Sequence, residues 1–257
     1  MSENQQEARK RASWINRLRA PQVAPPWSVT DVIYTLVALL VFMFLVAPSV
    51  ASLTSAEFLT PRALLFGWMI GLLLTTGFVL LNRQRTQASR EALRIVGNTR
   101  PSLFFVLLYG IAAALVVDLI VGLPAGGFSA SAVLSQVSRD PGTEGGTWLL
   151  AALLVVLVQP IAESLVFYGV TLPRLRASIG PVGGYAITIG LFTSYHFAAF
   201  GSTLLPATQV SYGLIVPLLI GAFLGAVRTR TSSTLAVIVA YIGIGGAHLL
   251  TALALSG

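Results

Sequence analysis

The sequence predicts an all-α fold, a polytopic transmembrane helical bundle of about seven spans with its N-terminus inside, and three observations carry that prediction. Of 257 residues, 55% are hydrophobic and 10% are charged. A soluble domain has about a quarter of its residues charged, so most of this surface must face something other than water. The mean hydropathy is +0.83, and the apolar residues fall into stretches near the about 20 needed to cross a bilayer as a helix.

The spans read as 29–52, 61–82, 102–123, 147–172, 181–200, 208–227 and 233–255. Short polar or Gly- and Pro-bearing segments separate them, as turns require. Basic residues then orient the bundle. Arg9, Lys10, Arg11, Arg17 and Arg19 precede the first span, and Arg83, Arg85, Arg90, Arg94 and Arg100 follow the second. Arg174 and Arg176 follow the fourth, and Arg228 and Arg230 follow the sixth. Only Arg62 and Arg139 fall on the opposite side, so 14 of the 16 basic residues share one face. The positive-inside rule makes that face cytoplasmic. The expected product is a multi-pass protein of the cell (inner or plasma) membrane, with its C-terminus outside.

Residues 1–28 form a basic cytoplasmic tail and 29–257 the bundle. The tail has no apolar core of a signal peptide. Trp14, Ile15 and Leu18 among its arginines suit anionic lipids at the inner leaflet, and a solvated tail that enforces topology is an equal reading. The net charge of +7 sits beside apolar spans, which argues against nucleic acid as a partner. The absence of cysteine excludes disulfides, thiolate metal sites and a cysteine nucleophile. The connection 123–146 reads as an outside loop with a short interfacial helix around 129–138.

An ionisable group inside a span costs roughly 2.5–3.5 kcal/mol on insertion scales, so each one needs a reason. Asp31 has a structural one, because an acid suits a helix N-terminus. Asp118, Glu163, His196 and His248 remain. Glu163 lies in an apolar run just after Pro160, which withholds a donor from the carbonyl of residue 156 and kinks the helix. The only two histidines of the chain, His196 and His248, fall in two other spans. One carboxylate and two imidazoles on three helices would hold and activate a water, or would supply Glu163, His196 and His248 to a zinc ion with a fourth position open. No HExxH motif is present, so a zinc site would have to be assembled across helices.

Three stretches carry a resemblance. PIAESLVFYG (160–169), Phe192 and His196 in LFTSYH, and GAFLGAVRTRTSSTLAVIVA (221–240) together resemble the CAAX-protease and bacteriocin-processing (CPBP, or Abi) family of intramembrane proteases, over about residues 147–252. That family has a motif of two glutamates followed by an arginine, a Phe-x-x-x-His motif and a late His-x-x-x-Asn motif. Glu163 stands on the first glutamate, whereas Ser164 replaces the second and Tyr168 replaces the arginine. At the family's usual spacing Tyr241 stands where the late histidine is expected and Gly245 where the asparagine is. His248 follows seven residues later, in reach only if the helix kinks near Gly243, Gly245 and Gly246.

The resemblance implies a water activated by Glu163, with His196 assisting and His248 a third contributor. Ser164, Tyr168, Phe192 and Tyr241 become supporting or substrate-positioning residues. It implies hydrolysis of a peptide bond in a membrane-protein or lipidated-peptide substrate. The lost motif positions support the alternative, an inactive member serving a membrane complex as scaffold, assembly or regulatory factor. Other membrane classes fit less well. The sole lysine, Lys10, lies in the tail, so no retinal Schiff base could form in the bundle. A rhomboid-type Gly-x-Ser-Gly segment is absent, and no inverted repeat of the transporter kind is detectable.

Overall fold

The computed structural model describes residues 23–54, 60–95, 102–123, 131, 133–138, 145–201, 204 and 206–256. The amphipathic reading of the tail, together with Arg100 and Arg139, lies outside those residues. Among the described residues every regular element is helical, and all-α architecture is established. The elements are α1 (Val29–Thr54) and α2 (Pro61–Arg83), α3 (Gln87–Leu93), α4 (Leu103–Gly122) and the single turn α5 (Ser135–Ser138). Then follow α6 (Gly145–Ile179), α7 (Pro181–Phe200), α8 (Thr208–Thr231) and α9 (Thr234–Ser256).

Six of these helices, α1, α2, α4, α6, α8 and α9, are long and apolar enough to cross a membrane. The expected fifth span, 181–200, is a helix of 20 residues but is not among the six. Its glycines, tyrosines, Thr188, Thr193 and His196 lower its hydropathy, and several of these side chains turn inward instead of toward lipid. Its course is nevertheless set by its neighbours. Gly180, at φ +88°, turns the chain from the end of α6 into α7, and α8 then returns to that end, where its Arg228 Nε donates to the Tyr168 carbonyl of α6 (3.0 Å).

Polar contacts gather the basic residues at this same end. Ser28 and Asp31 cap α1 reciprocally, Ser28 N–H donating to Asp31 Oδ2 (2.8 Å) and Asp31 N–H to Ser28 Oγ (3.1 Å). Arg83 at the end of α2 pairs with Asp31 (3.0 Å). Asp31 therefore has the structural role its position implied. Arg94, after α3, donates to the Ser232 carbonyl (3.3 Å) between α8 and α9. Trp27, buried just before α1, donates its indole N–H to the Val170 carbonyl (3.1 Å) and fixes the entry of the chain against α6.

Small residues let the helices touch, as small-residue faces do in membranes. A Cβ at Gly67 would lie 2.3 Å from the Ala47 carbonyl oxygen, and one at Gly110 would lie 2.0 Å from that of Ala240. Gly221 and Gly225 meet Phe192 and Tyr185 of α7. The pairs Gly67/Gly71 and Gly221/Gly225, each four residues apart, thus pack the bundle internally.

Helix α6 differs most from expectation. It has 35 residues, about 52 Å at 1.5 Å per residue, and it continues past residue 172. The excess over a core of about 30 Å carries Arg174 and Arg176 beyond the apolar run. Two stretches of α6, Leu154–Val158 and Ser164–Thr171, are wound as π-helix. In the first, Gln159 N–H reaches the Leu154 carbonyl five residues back. At Tyr168 the i+5 position is Pro173, which has no N–H. The Leu172 N–H bonds the Phe167 carbonyl, and Arg228 supplies the donor that the backbone withholds from Tyr168.

Within the expected short helix around 129–138 the described residues include a four-residue helix, Ser135–Ser138, and Val133, Leu134 and Val137 are buried.

Candidate active site

Helices α6, α7 and α9 bring the site together. Glu163 lies near the middle of α6 and is wholly buried. Its Oε2 meets His196 Nε2 of α7 at 2.8 Å and accepts from the Tyr241 hydroxyl of α9 at 2.7 Å. Tyr241 OH also stands 3.3 Å from His196 Nε2. The Gln159 amide, one turn before Glu163, reaches toward the Tyr241 hydroxyl at 3.4 Å. The other carboxylate oxygen, Oε1, is buried with no hydrogen-bond partner among the described residues. The Tyr195 hydroxyl, itself buried and without a hydrogen bond of normal length, lies beside this carboxylate as a further protein donor.

The position that the family reserves for its late histidine is thus filled by Tyr241, which contacts the acid directly. Gly245, in place of the asparagine, serves another purpose. Its Cα side presses on the Val155 carbonyl, and a Cβ there would lie 2.1 Å from that oxygen. This contact seats α9 against α6 one turn from Tyr241.

Aromatic packing fixes the imidazole. Phe192, one turn before His196 and fully buried, lies 4.4 Å from it ring to ring, and its ring also meets Phe167 at 5.3 Å and Tyr168 at 5.9 Å. Tyr195 and Phe200 pack edge-on to His196 at 5.5 Å each. Edge and offset contacts of this kind favour one ring orientation. Tyr168 itself, where the family arginine would be, is buried and donates to the Gly221 carbonyl (3.0 Å). Ser164 is buried with its hydroxyl unpartnered among the described residues.

His248 does not join this cluster. No kink forms near Gly243, Gly245 and Gly246, because α9 runs unbroken from Thr234 to Ser256. His248 Nε2 instead stands 3.7 Å from Asp118 Oδ1 of α4. Both groups do face the same cavity, of about 60 Å³, lined among others by Asp118, Gln159, His196, Tyr241 and His248. That volume admits a few waters, one needing about 10–15 Å³ on this measure. Ser131 and Val133 also line it.

The donor set does not fit zinc. Among the described residues no three His, Asp or Glu side chains form a group able to hold a metal ion. Glu163 pairs with His196, whereas His248 stands with Asp118, so the expected Glu163–His196–His248 set is not assembled.

Sequence reasoning missed Gln159, Tyr195 and the Asp118–His248 pairing. Gln159, a polar residue directly before Pro160 in an apolar run, could have been found by the rule that picked out Glu163. The pairing of Asp118 with a residue 130 positions later had no local signal.

Residues 145–246 match the family model described as type II CAAX prenyl endopeptidase Rce1-like. No curated protein and no solved structure matches the chain. The matched stretch contains Glu163, His196 and Tyr241 and ends just before His248. This multi-pass membrane protein therefore carries an Rce1-like region of the CPBP family, and the resemblance read from its motifs is shown.

Proposed function

We propose that the protein is an intramembrane endopeptidase in which Glu163 and His196 act as one acid–base unit on a water in the cavity. The observation that carries this reading is the 2.8 Å contact between Glu163 Oε2 and His196 Nε2, with the histidine on the cavity wall and the carboxylate buried behind it. If Glu163 accepts the Nε2 proton, the Nδ1 lone pair is left as the base. Such a pair removes a proton from water as the oxygen attacks a peptide carbonyl, and returns it to the departing amine. Phe192 and Tyr241 hold the pair, and His248 is a cavity residue outside it.

The substrate fitting this reading is a lipidated or membrane-embedded peptide, since the site lies within a bundle of apolar helices. The basic end is cytoplasmic, α7 is a seventh span, and the C-terminus is outside.

A second reading, a non-catalytic member in a membrane complex, is favoured by one feature. Tyr168 and Ser164 leave the Glu-Arg pair of the family motif absent, and Tyr168 is committed to Gly221. One experiment separates the two. Wild type, Glu163→Gln and His196→Asn are reconstituted in liposomes with a fluorogenic prenylated peptide and a panel of membrane-anchored peptides. Cleavage by the wild type, lost about 10²-fold or more in both variants, supports the protease. No cleavage of any peptide, with co-purifying partners unchanged in both variants, supports the scaffold.

A further inference from the structure

A groove of about 590 Å³ runs between α4 and α8 on the outer surface of the bundle, away from the cavity lined by His196 and Tyr241. Ser102, Phe105 and Tyr109 line it from α4, and Phe223, Val227 and Arg230 from α8. The two helices run in opposite directions, so the polar ends coincide. Ser102 is the N-cap of α4 and Arg230 lies in the last turn of α8. Tyr109 and Phe223 are each seven residues from those ends, about 10 Å deeper at 1.5 Å per residue. The groove therefore changes along its length, from a guanidinium and a hydroxyl at the rim to aromatic and aliphatic carbon below.

That gradient matches a lipid standing upright in a leaflet. Phe105 and Tyr109 are more than half exposed, so the apolar floor faces the hydrocarbon and is open to an acyl chain. The rim lies at the end of the bundle where Arg83, Arg94, Arg176 and Arg228 also gather, a field that favours anions. Basic pockets between spanning helices at such an end suit phosphate headgroups. The two arginines of the last turn of α8 are divided between tasks. Arg228 turns inward to the Tyr168 carbonyl, and Arg230 lines the groove.

We propose that this groove is a binding site for one anionic phospholipid, its acyl chain against Phe105, Tyr109, Phe223 and Val227 and its phosphate at Arg230. The site is independent of the proposed peptidase activity and differs from any attraction of lipid to the basic tail. A zwitterionic lipid has the same chains, so selectivity is the property that Arg230 confers.

The full-length protein in detergent is titrated with dioleoyl-phosphatidylglycerol or dioleoyl-phosphatidylcholine, and bound lipid is counted by native mass spectrometry. The expected result is one phosphatidylglycerol retained in preference to phosphatidylcholine. Arg230→Gln should reduce that preference about fivefold, the equivalent of one basic contact at a membrane surface, and Arg230→Lys should keep most of it. Ala226→Trp fills the groove and should remove the retained lipid of either kind. Circular dichroism melting confirms that each variant is folded. A preference unchanged in Arg230→Gln, or a retained lipid unaffected by a folded Ala226→Trp, overturns the proposal. If Ala226→Trp does not fold, Arg230→Gln against Arg230→Lys decides alone.

Discussion

Gly245 and Gly246 are adjacent in α9 and meet opposite surroundings, which makes them a matched pair. A Cβ at Gly245 would stand 2.1 Å from the Val155 carbonyl oxygen, whereas one at Gly246 meets nothing within 4 Å. Ordinary contact begins near 3.4 Å, so Gly245→Ala forces α9 to retreat from α6 by roughly 1 Å, at an overpacking cost of about 1–3 kcal/mol. Tyr241 is one turn away on the same rigid helix, and its 2.7 Å bond to Glu163 would stretch past hydrogen-bonding range. A misplacement of that size costs on the order of 10²-fold in rate where geometry is critical. The variants are compared by thermal unfolding in detergent and, for the reconstituted protein, by cleavage of the prenylated reporter. Gly246→Ala should match the wild type in both. Equal behaviour of the two variants would refute the argument, since it would mean that the Val155–Gly245 contact does not seat the helix.

Three further expectations follow from named contacts. Tyr241→Phe removes a hydrogen bond to a buried carboxylate, and should lower stability by about 1.5–3 kcal/mol, measured by chemical unfolding in mixed micelles; no loss would show that the hydroxyl does not bond Glu163. Arg228→Ala leaves the Tyr168 carbonyl without its donor and should lower the unfolding temperature, at about 1–3 kcal/mol. Arg228→Met, equally without that donor, should not rescue it. Ser164→Glu alone buries an unpaired charge and should cost about 3–5 kcal/mol. Combining it with Tyr168→Arg should recover part of that loss by pairing one helical turn apart, and a double variant no better than the sum of the singles would exclude such pairing.

Much of the bundle was legible because hydrophobic run length is a local property. The spans of α1, α2, α4, α8 and α9 fall within a few residues of their expected positions. Helix α7 was found through the same pattern, although its inward polar side chains make it less apolar than the rest. The ends of α6 were not legible, since a helix that continues beyond the bilayer leaves no hydropathy mark. In the site, Glu163 and His196 stood out by their cost in lipid, and motif spacing pointed to Tyr241, whose hydroxyl contacts Glu163. His248 was assigned by scarcity alone, as one of two histidines. Its real neighbour, Asp118, is chosen by the close packing of α4 on α9 through Gly110, a three-dimensional fact with no one-dimensional trace. The π-helical winding on either side of Pro160 likewise leaves no mark in the hydropathy pattern.

The long sequence separations within the site have a consequence for how the chain is made. Glu163 is synthesised 33 residues before His196 and 78 residues before Tyr241. At about 5–20 residues per second, roughly 4–16 s pass between the emergence of the acid and that of its last partner. During that interval α6 carries a carboxylate whose insertion alone costs about 2.5–3.5 kcal/mol. A nascent chain stalled before residue 241 is therefore expected to leave Glu163 without its Tyr241 partner, with that insertion cost only partly relieved.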